Sequence, residues 1–373
     1  MRLLQSVLPM LRQTKKPPPK FLAHLLGLLL MLPGHATLRH LSRSSSYHER
    51  TCARWYARDF DFVSLNQAAL TRVIPPEHAQ ALGVAARFVP KSGKKTAGLD
   101  RCWHGSHSRT DKGLAISALA WLDITDPCAY GLSVEQPPPP DKTTDTAATR
   151  IDIYLEQLAR VVSEQHLSPL RSVSTDGYDS QQQCLGGGRA RGLDQIGQLR
   201  LDATLRYRYQ GPKRPGPGRP TTYDGKGHWD DLARFETVET DDDAIVLSHQ
   251  ALKHVQCQCN LRVVLVVDTK HTRRAVLFST DLSLDALPLY RDYTARFQSE
   301  WLFRDAKQFT GLTDWHARSQ AQLNFHCHAS LSAGTLATLE ARQQNGEAAS
   351  GVSLASLKRR AVNHHLLERI SQY

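Results

Sequence analysis

The 373-residue sequence contains no C-x-x-C pair, no tandem repeat of fixed period, and no apolar run longer than Phe21 to Leu32. Each absence removes a class of protein. Seven cysteines, an odd number at wide spacing, argue against a disulfide framework or a zinc ribbon and point to a reducing compartment. Cys257-Gln-Cys259 would place two thiols on one strand face, and histidines stand at 326, 328, 364 and 365. Neither set has further ligands at a usable spacing for a structural metal. The run from Phe21 is too short to span a bilayer, which takes about 20 apolar residues in a helix. Acids are outnumbered, 36 Asp and Glu against 47 Lys and Arg, for a formal net charge of +11. A surplus of that size suits a polyanionic partner: DNA, RNA or an anionic membrane.

The N-terminus has the outline of a signal peptide. Lys15, Lys16 and Lys20 precede the apolar run, and Pro33-Gly-His-Ala36 follows it. Prolines 17 to 19 sit where a signal sequence would be helical, and His24 interrupts the run. The segment reads better as a buried helix of a small helical domain over residues 1–80, with export or a membrane surface as the alternative. Arg39, Arg43, Arg50, Arg54 and Arg58 alternate there with Tyr47, Trp55, Tyr56, Phe60 and Phe62. Arginines among aromatics suit phosphate contact and stacking, and equally suit a bundle that packs its rings and solvates its charges.

From about residue 81 the pattern changes to short apolar runs. Val84–Pro90, Gly113–Ile124 and Ala129–Gln136 read as three successive strands. Ile151–Glu164 has helical periodicity, and Arg171–Asp176 reads as a strand ending in a carboxylate. Further on, Leu205–Tyr209, Phe235–Glu239, Ala244–Leu247, Leu261–Val267 and Ala275–Asp281 all have strand character. Between the first two of these lies Gly211-Pro-Lys-Arg-Pro-Gly-Pro-Gly-Arg-Pro220, which can only be a loop. It carries Lys213, Arg214 and Arg219, suited to a DNA groove or to a solvated hairpin connection. A short helix is expected around Leu354–Ile370.

The most informative stretch is Tyr293-Thr-Ala-Arg296-Phe-Gln-Ser-Glu300-Trp-Leu-Phe-Arg304-Asp-Ala-Lys307. At about 100° per residue, Tyr293, Arg296, Glu300 and Lys307 would fall within an arc of roughly 60° on one helix. Cations ranged around one carboxylate suit a phosphodiester with a metal ion beside it. The spacing, Y-x2-R-x3-E-x6-K, resembles the signature of DDE-type insertion-sequence transposases of bacteria. Further segments are similar to the same family: Leu38–Arg43, Phe62–Gln67, Leu199–Ala203, Gly218-Arg-Pro, Trp315–Ser319 and Leu323–Ser330. The likeness runs over roughly residues 20–370.

The resemblance implies an α/β fold with a ribonuclease H-like core, a mixed sheet with flanking helices interrupted by a β-rich insertion. The expected divisions are a helical DNA-binding start (1–80), core (81–195), insertion (196–260), core (261–345) and tail (346–373). It further implies a homodimer acting on terminal inverted repeats and target DNA, in a bacterial cytoplasm at the nucleoid. Two Mg²⁺ ions (or Mn²⁺) held by Asp, Asp and Glu are expected in such enzymes. Glu300 matches the glutamate and Asp176, in Ser174-Thr-Asp-Gly-Tyr178, the second aspartate. Tyr293, Arg296, Lys307 and Arg219 would contact DNA. The first aspartate is missing: where relatives have Asp-x-x-Phe-x-x-Lys-Ser-Gly, this chain has Ala85-Ala-Arg-Phe-Val-Pro-Lys-Ser-Gly93. No carboxylate lies between Glu77 and Asp100, so a shift in register cannot supply one. Catalysis is therefore expected to be impaired, with a non-catalytic DNA-binding repressor as the alternative.

Overall fold

The computed structural model describes residues 2–11, 19–92, 94–104, 108–137, 149–164, 167, 170–175, 192–209, 211–212, 222–229, 232–314, 317–346, 351 and 353–371. They form two compact units, Met1–Pro169 with Phe297–Tyr373, and Leu170–Arg296.

The first unit is organised by one helix that has no polar side. Helices α1 (Arg2–Val7), α2 (Pro19–Met31), α3 (Leu38–Arg43), α4 (Glu49–Tyr56) and α5 (Phe62–Val73) lead into the sheet. Strands β1 (Gln80–Pro90), β2 (Asp100–His104), β3 (Arg109–Asp123) and β4 (Cys128–Glu135) follow, then α6 (Arg150–Glu164). After the second unit come α8 (Gln298–Phe309), α9 (Gln320–Asn345) and α10 (Leu354–Ile370). Along α9, Leu323, Phe325, Cys327, Ala329, Leu331, Ala333, Leu336 and Leu339 are all buried. A helix buried on every side, with His326, Ser330, Ser332 and Thr335 buried among these apolar residues, must be covered on every side.

The sheet covers one side of α9. Its hub is β3, antiparallel to β1, β2 and β4, with Ala85 opposite Ala118 and Arg87 opposite Ile116. Gly131 on β4 permits the close approach. A Cβ there would lie 3.0 Å from the Leu331 Cβ, and its N–H donates to Thr335 Oγ1 at 2.8 Å. The N-terminal helices cover the other side, where the Tyr56 and Phe62 rings stand 4.8 and 5.2 Å from Phe325. The apolar run of α2 is buried through Phe21, Leu22, Leu25, Leu26, Leu28, Leu29 and Leu30. Among the described residues no helix is long and apolar enough to cross a membrane.

The C-terminal end of α9 is pinned by charge. Arg342 donates to the fully buried Asp123 at 2.9 Å and pairs with Asp126 at 3.1 Å. Asp123 also accepts from His78 Nδ1 at 2.9 Å and from the Asp126 N–H at 3.0 Å.

The second unit is a sheet in which β5 (Ser172–Ser174) runs parallel to β6 (Asp194–Leu199) and the other pairs are antiparallel. Its order is β5-β6-β12-β11-β10-β7-β8, with β7 (Leu205–Arg208), β8 (Tyr223–Lys226), β10 (Ile245–His254), β11 (Cys259–Asp268) and β12 (Arg273–Ser279). Strand β9 (Glu236–Glu239) pairs with β10. Period-two alternation gives each face a core. Val264, Val266 and Leu277 pack with Leu289 and Tyr293 of α7 (Ala286–Ala295), while Val263, Leu265 and Phe278 pack with Leu205, Tyr207 and Leu252.

The chain is therefore α/β with mixed strand directions and flanking helices, as expected. The compact units do not divide at the boundaries read from the sequence. Positions 195 and 260 fall inside β6 and β11, each hydrogen-bonded along both edges. Position 80 begins β1, whose unit also includes the preceding helices.

Two outcomes follow from these buried charges. Arg342→Leu leaves Asp123 buried without its main counter-charge and is expected to cost about 3–5 kcal/mol, read from the denaturant midpoint. Asp292 on α7 is pushed up to about 6 by loss of hydration. A carboxyl raised on folding opposes folding fully above that value, and not at all below its unfolded value of about 4. Asp292→Asn is thus expected to raise Tm at neutral pH, with the gain vanishing as pH falls to about 4.

Candidate active site

Helix α8 carries the expected glutamate in its first turn, where the helix dipole favours an anion. Ser299, Phe303 and Ala306 of α8 are buried. Phe303 and Ala306 join Ala85, Val89, Leu114, Ile116 and Ala118 in one apolar cluster. Gly311 ends the helix with φ of +74°, and the Leu312 N–H returns to the Ala306 carbonyl. His326 Nε2 donates to the Gly311 carbonyl at 2.8 Å, and burial holds its pKa below the ordinary value, so it acts as a neutral donor.

Glu300 lies at the edge of α8 and is met from β1 by Arg87, whose Nη2 stands 3.1 Å from Glu300 Oε1. The same guanidinium lies over the Phe303 ring, 5.6 Å from its centroid. On a strand, residues two apart share a face. Ala85, Arg87 and Val89 therefore all face α8, as the packing of Ala85 and Val89 against Phe303 and Ala306 requires. The position expected to hold the first carboxylate points toward the glutamate helix and ends in a methyl group. Two residues along, the same face presents a cation that already occupies Glu300.

Lys307, two turns beyond Glu300, is partly desolvated, which depresses its pKa, and the nearby Arg87 charge lowers it further. Among the described residues it forms no ion pair. A separate cavity of about 310 Å³ lies beside α8, lined by Cys128, Trp301, Leu302, Phe309, Leu331 and Leu354. Glu300 and Arg87 take no part in it.

The four signature side chains are not carried by one regular helix. Helix α7 ends at Ala295 and α8 begins at Gln298. Arg296 and Phe297 keep right-handed helical dihedrals, but the Arg296 and Glu300 N–H groups bond the carbonyls three residues back. Tyr293 and Arg296 belong to the second unit, 4 % and 3 % exposed. The Tyr293 hydroxyl donates to Gln198 Oε1 at 2.8 Å, and the Arg296 guanidinium lies 5.4 Å from the Tyr293 ring. Asp176 and Arg219 lie outside the described residues. The strand leading to Asp176 is firmly held: the Thr175 N–H donates to the Ile196 carbonyl, and Gln195 Nε2 to Thr175 Oγ1, both at 2.9 Å.

Arg87 is the residue that the sequence reading passed over. The signal was present, since any residue two from Ala85 on a strand shares its face.

Among the described residues the donors at this site do not make up a two-ion centre, and Asp176 lies outside them. Ala85 offers no oxygen, and Glu300 is already partnered by a cation. Among the described residues no group of three or more His, Cys, Asp or Glu could hold a metal ion. The ion pair is the smaller obstacle: Glu300 is half exposed, and such pairs contribute about 0–1 kcal/mol. The methyl group of Ala85, where the resemblance places an acid, is the larger one.

The chain matches the family described as DDE superfamily endonuclease over residues 12–261, two thirds of its length, and it belongs to that family. The match includes β1 and ends before α7 and α8, so the signature segment is a separate observation. No curated protein matches the chain. Family membership carries the ribonuclease H-like fold class and the expectation of a DNA substrate.

Ala85→Asp alone would place its new carboxylate on the same strand face as Arg87, which can pair with it. Combined with Arg87→Ala, the same change leaves both the introduced carboxylate and Glu300 free of that cation. Titration calorimetry with Mn²⁺ is expected to give binding weaker than roughly 1 mM for the natural chain, with Ala85→Asp alone tightening it and the double variant tightening it most. The double variant should bind at least about tenfold tighter, equivalent to roughly 1.4 kcal/mol.

Proposed function

We propose that this chain is an insertion-sequence transposase by descent that binds DNA ends and is crippled in cutting them. Its partners are the terminal inverted repeats of a mobile element and, in a homodimer, a second copy of itself. It works at the nucleoid of a bacterial cytoplasm. The observation that carries the reading is the β1 face opposite Glu300, with a methyl group at Ala85 and a guanidinium at Arg87. Hydrolysis of a phosphodiester in this family is expected to need a divalent ion on a full acid set, and the acids here do not fit one.

DNA recognition has separate support. The charge of +11, the arginines of α3, α4 and the turn after α4, and Lys307 all survive the loss of the ligand. Arg54 lies over the Trp55 ring at 5.3 Å, and Arg39, Arg50 and Arg58 stand on the same N-terminal helical segment. Phosphate contacts of this kind fix position on DNA and give a steep salt dependence. A protein that keeps its grip and loses its chemistry occupies element ends, or joins an active copy in a mixed dimer, and so acts as a repressor.

The test is a linear duplex bearing the element ends, incubated with Mg²⁺ or Mn²⁺. The natural chain is expected to shift the duplex and leave it whole. The Ala85→Asp, Arg87→Ala double variant should cut at least about a hundredfold faster, in line with typical costs of losing a group at the reacting centre. Efficient cutting by the natural chain sinks the impaired reading. Absence of inverted repeats beside the reading frame in its genome counts against the mobile-element origin.

A further inference from the structure

The face that has lost a metal ligand has gained a cation, and its geometry points to a metal-independent phosphate clamp. We propose that Arg87 and Lys307 hold a backbone phosphate of bound DNA directly, and that Glu300 is the internal occupant of that clamp until DNA arrives. The proposal rests on the DNA-binding reading above and concerns the same site.

Arg87 is pre-set for the task. Its guanidinium lies over the Phe303 ring at 5.6 Å, and its contacts are Glu300 Oε1 at 3.1 Å and the Ala86 carbonyl at 3.4 Å. A guanidinium has five N–H donors and matches two oxygens of a phosphate as well as it matches a carboxylate. Lys307 supplies a second cation with no ion-pair partner among the described residues, on the same helix as Glu300. Two cations against one carboxylate leave a local charge of +1.

Glu300 can leave. Its side chain is 48 % exposed, and an exposed pair of this kind is held by about 0–1 kcal/mol. A phosphodiester arriving with the rest of the duplex displaces it, and the carboxylate swings toward solvent. The carboxylate that would recruit a metal ion in an intact relative here competes with the substrate. Removing it should therefore tighten binding, the opposite of what a metal-dependent site would show.

The experiment is fluorescence anisotropy with a labelled duplex carrying the element ends, in EDTA and in Mg²⁺ at matched ionic strength. The natural chain is expected to bind equally within about twofold in the two buffers. Glu300→Gln should tighten binding about three- to fivefold, a gain that unfolding cannot produce. Asp305→Asn makes the same change of charge on the same helix away from Arg87, and should shift affinity by less than about twofold. Arg87→Ala should weaken binding about tenfold and lower the salt slope by about one, with Arg87→Lys in between.

A requirement for Mg²⁺ overturns the proposal. So does an effect of Asp305→Asn equal to that of Glu300→Gln, or indifference to Arg87. In each of these cases DNA binding itself stands. If no duplex binds in either buffer, the DNA-binding reading falls and takes the clamp with it.

Discussion

The first unit depends on a single constraint: α9 has nowhere to put an apolar side chain except into other protein. Sheet and N-terminal helices are drawn to opposite flanks of it, and its polar groups are then spent on neighbours. Thr335 takes the Gly131 N–H, His326 the Gly311 carbonyl, and Ser330 shares a hydrogen bond with Thr310 at 3.0 Å. Asn324 accepts from the Gln136 N–H, and Gln322 donates to the Ala53 carbonyl. A buried helix tied by this many hydrogen bonds is fixed in rotation as well as depth, although the buried Ser332 hydroxyl has no hydrogen-bond partner among the described residues. That fixes α8, which ends against α9, and so fixes Glu300 over β1.

Burial and charge therefore play different parts in the site. The apolar cluster of Ala85, Val89, Phe303 and Ala306 sets which strand residues meet which helix residues. The Arg87–Glu300 pair contributes little to holding the unit together, since both groups keep contact with water. Its importance is chemical. A metal centre of this type needs uncommitted carboxylate oxygens, and this face offers one acid with a cation already on it.

Much of this was legible in the sequence. The apolar runs of β1, β3 and β4 and the periodicity of α6 come through as elements, and α10 stands where a helix was expected. The buried α2 follows from Phe21–Leu32 being too short for a bilayer and too apolar for water. The neighbours Phe88, Lys91 and Ser92 are what mark Ala85 as the position where the resemblance places an acid. Strand β2, Asp-Arg-Cys-Trp-His, was not legible, having neither an apolar run nor alternation. The break at Arg296–Phe297 has no Gly or Pro to announce it, and the burial of Tyr293 depends on Gln198, a partner in another strand. Arg87 meets Glu300 only through the fold. Strand alternation puts Arg87 on the Ala85 face, but residue type alone could not separate a solvated strand arginine from one paired with Glu300.

The order of segments along the chain has a further consequence for biosynthesis. The second unit interrupts the first, so β1 to β4 leave the ribosome long before α8 and α9, which must cover their apolar face. At elongation rates of roughly 5–20 residues per second, the nascent sheet waits on the order of ten seconds or more for its partner helices. The intervening unit can close its own two cores during that interval, but the first cannot. A prematurely terminated copy ending near Arg296 would thus release one self-sufficient module tethered to a sheet with its greasy side bare, a natural client for chaperones or proteases.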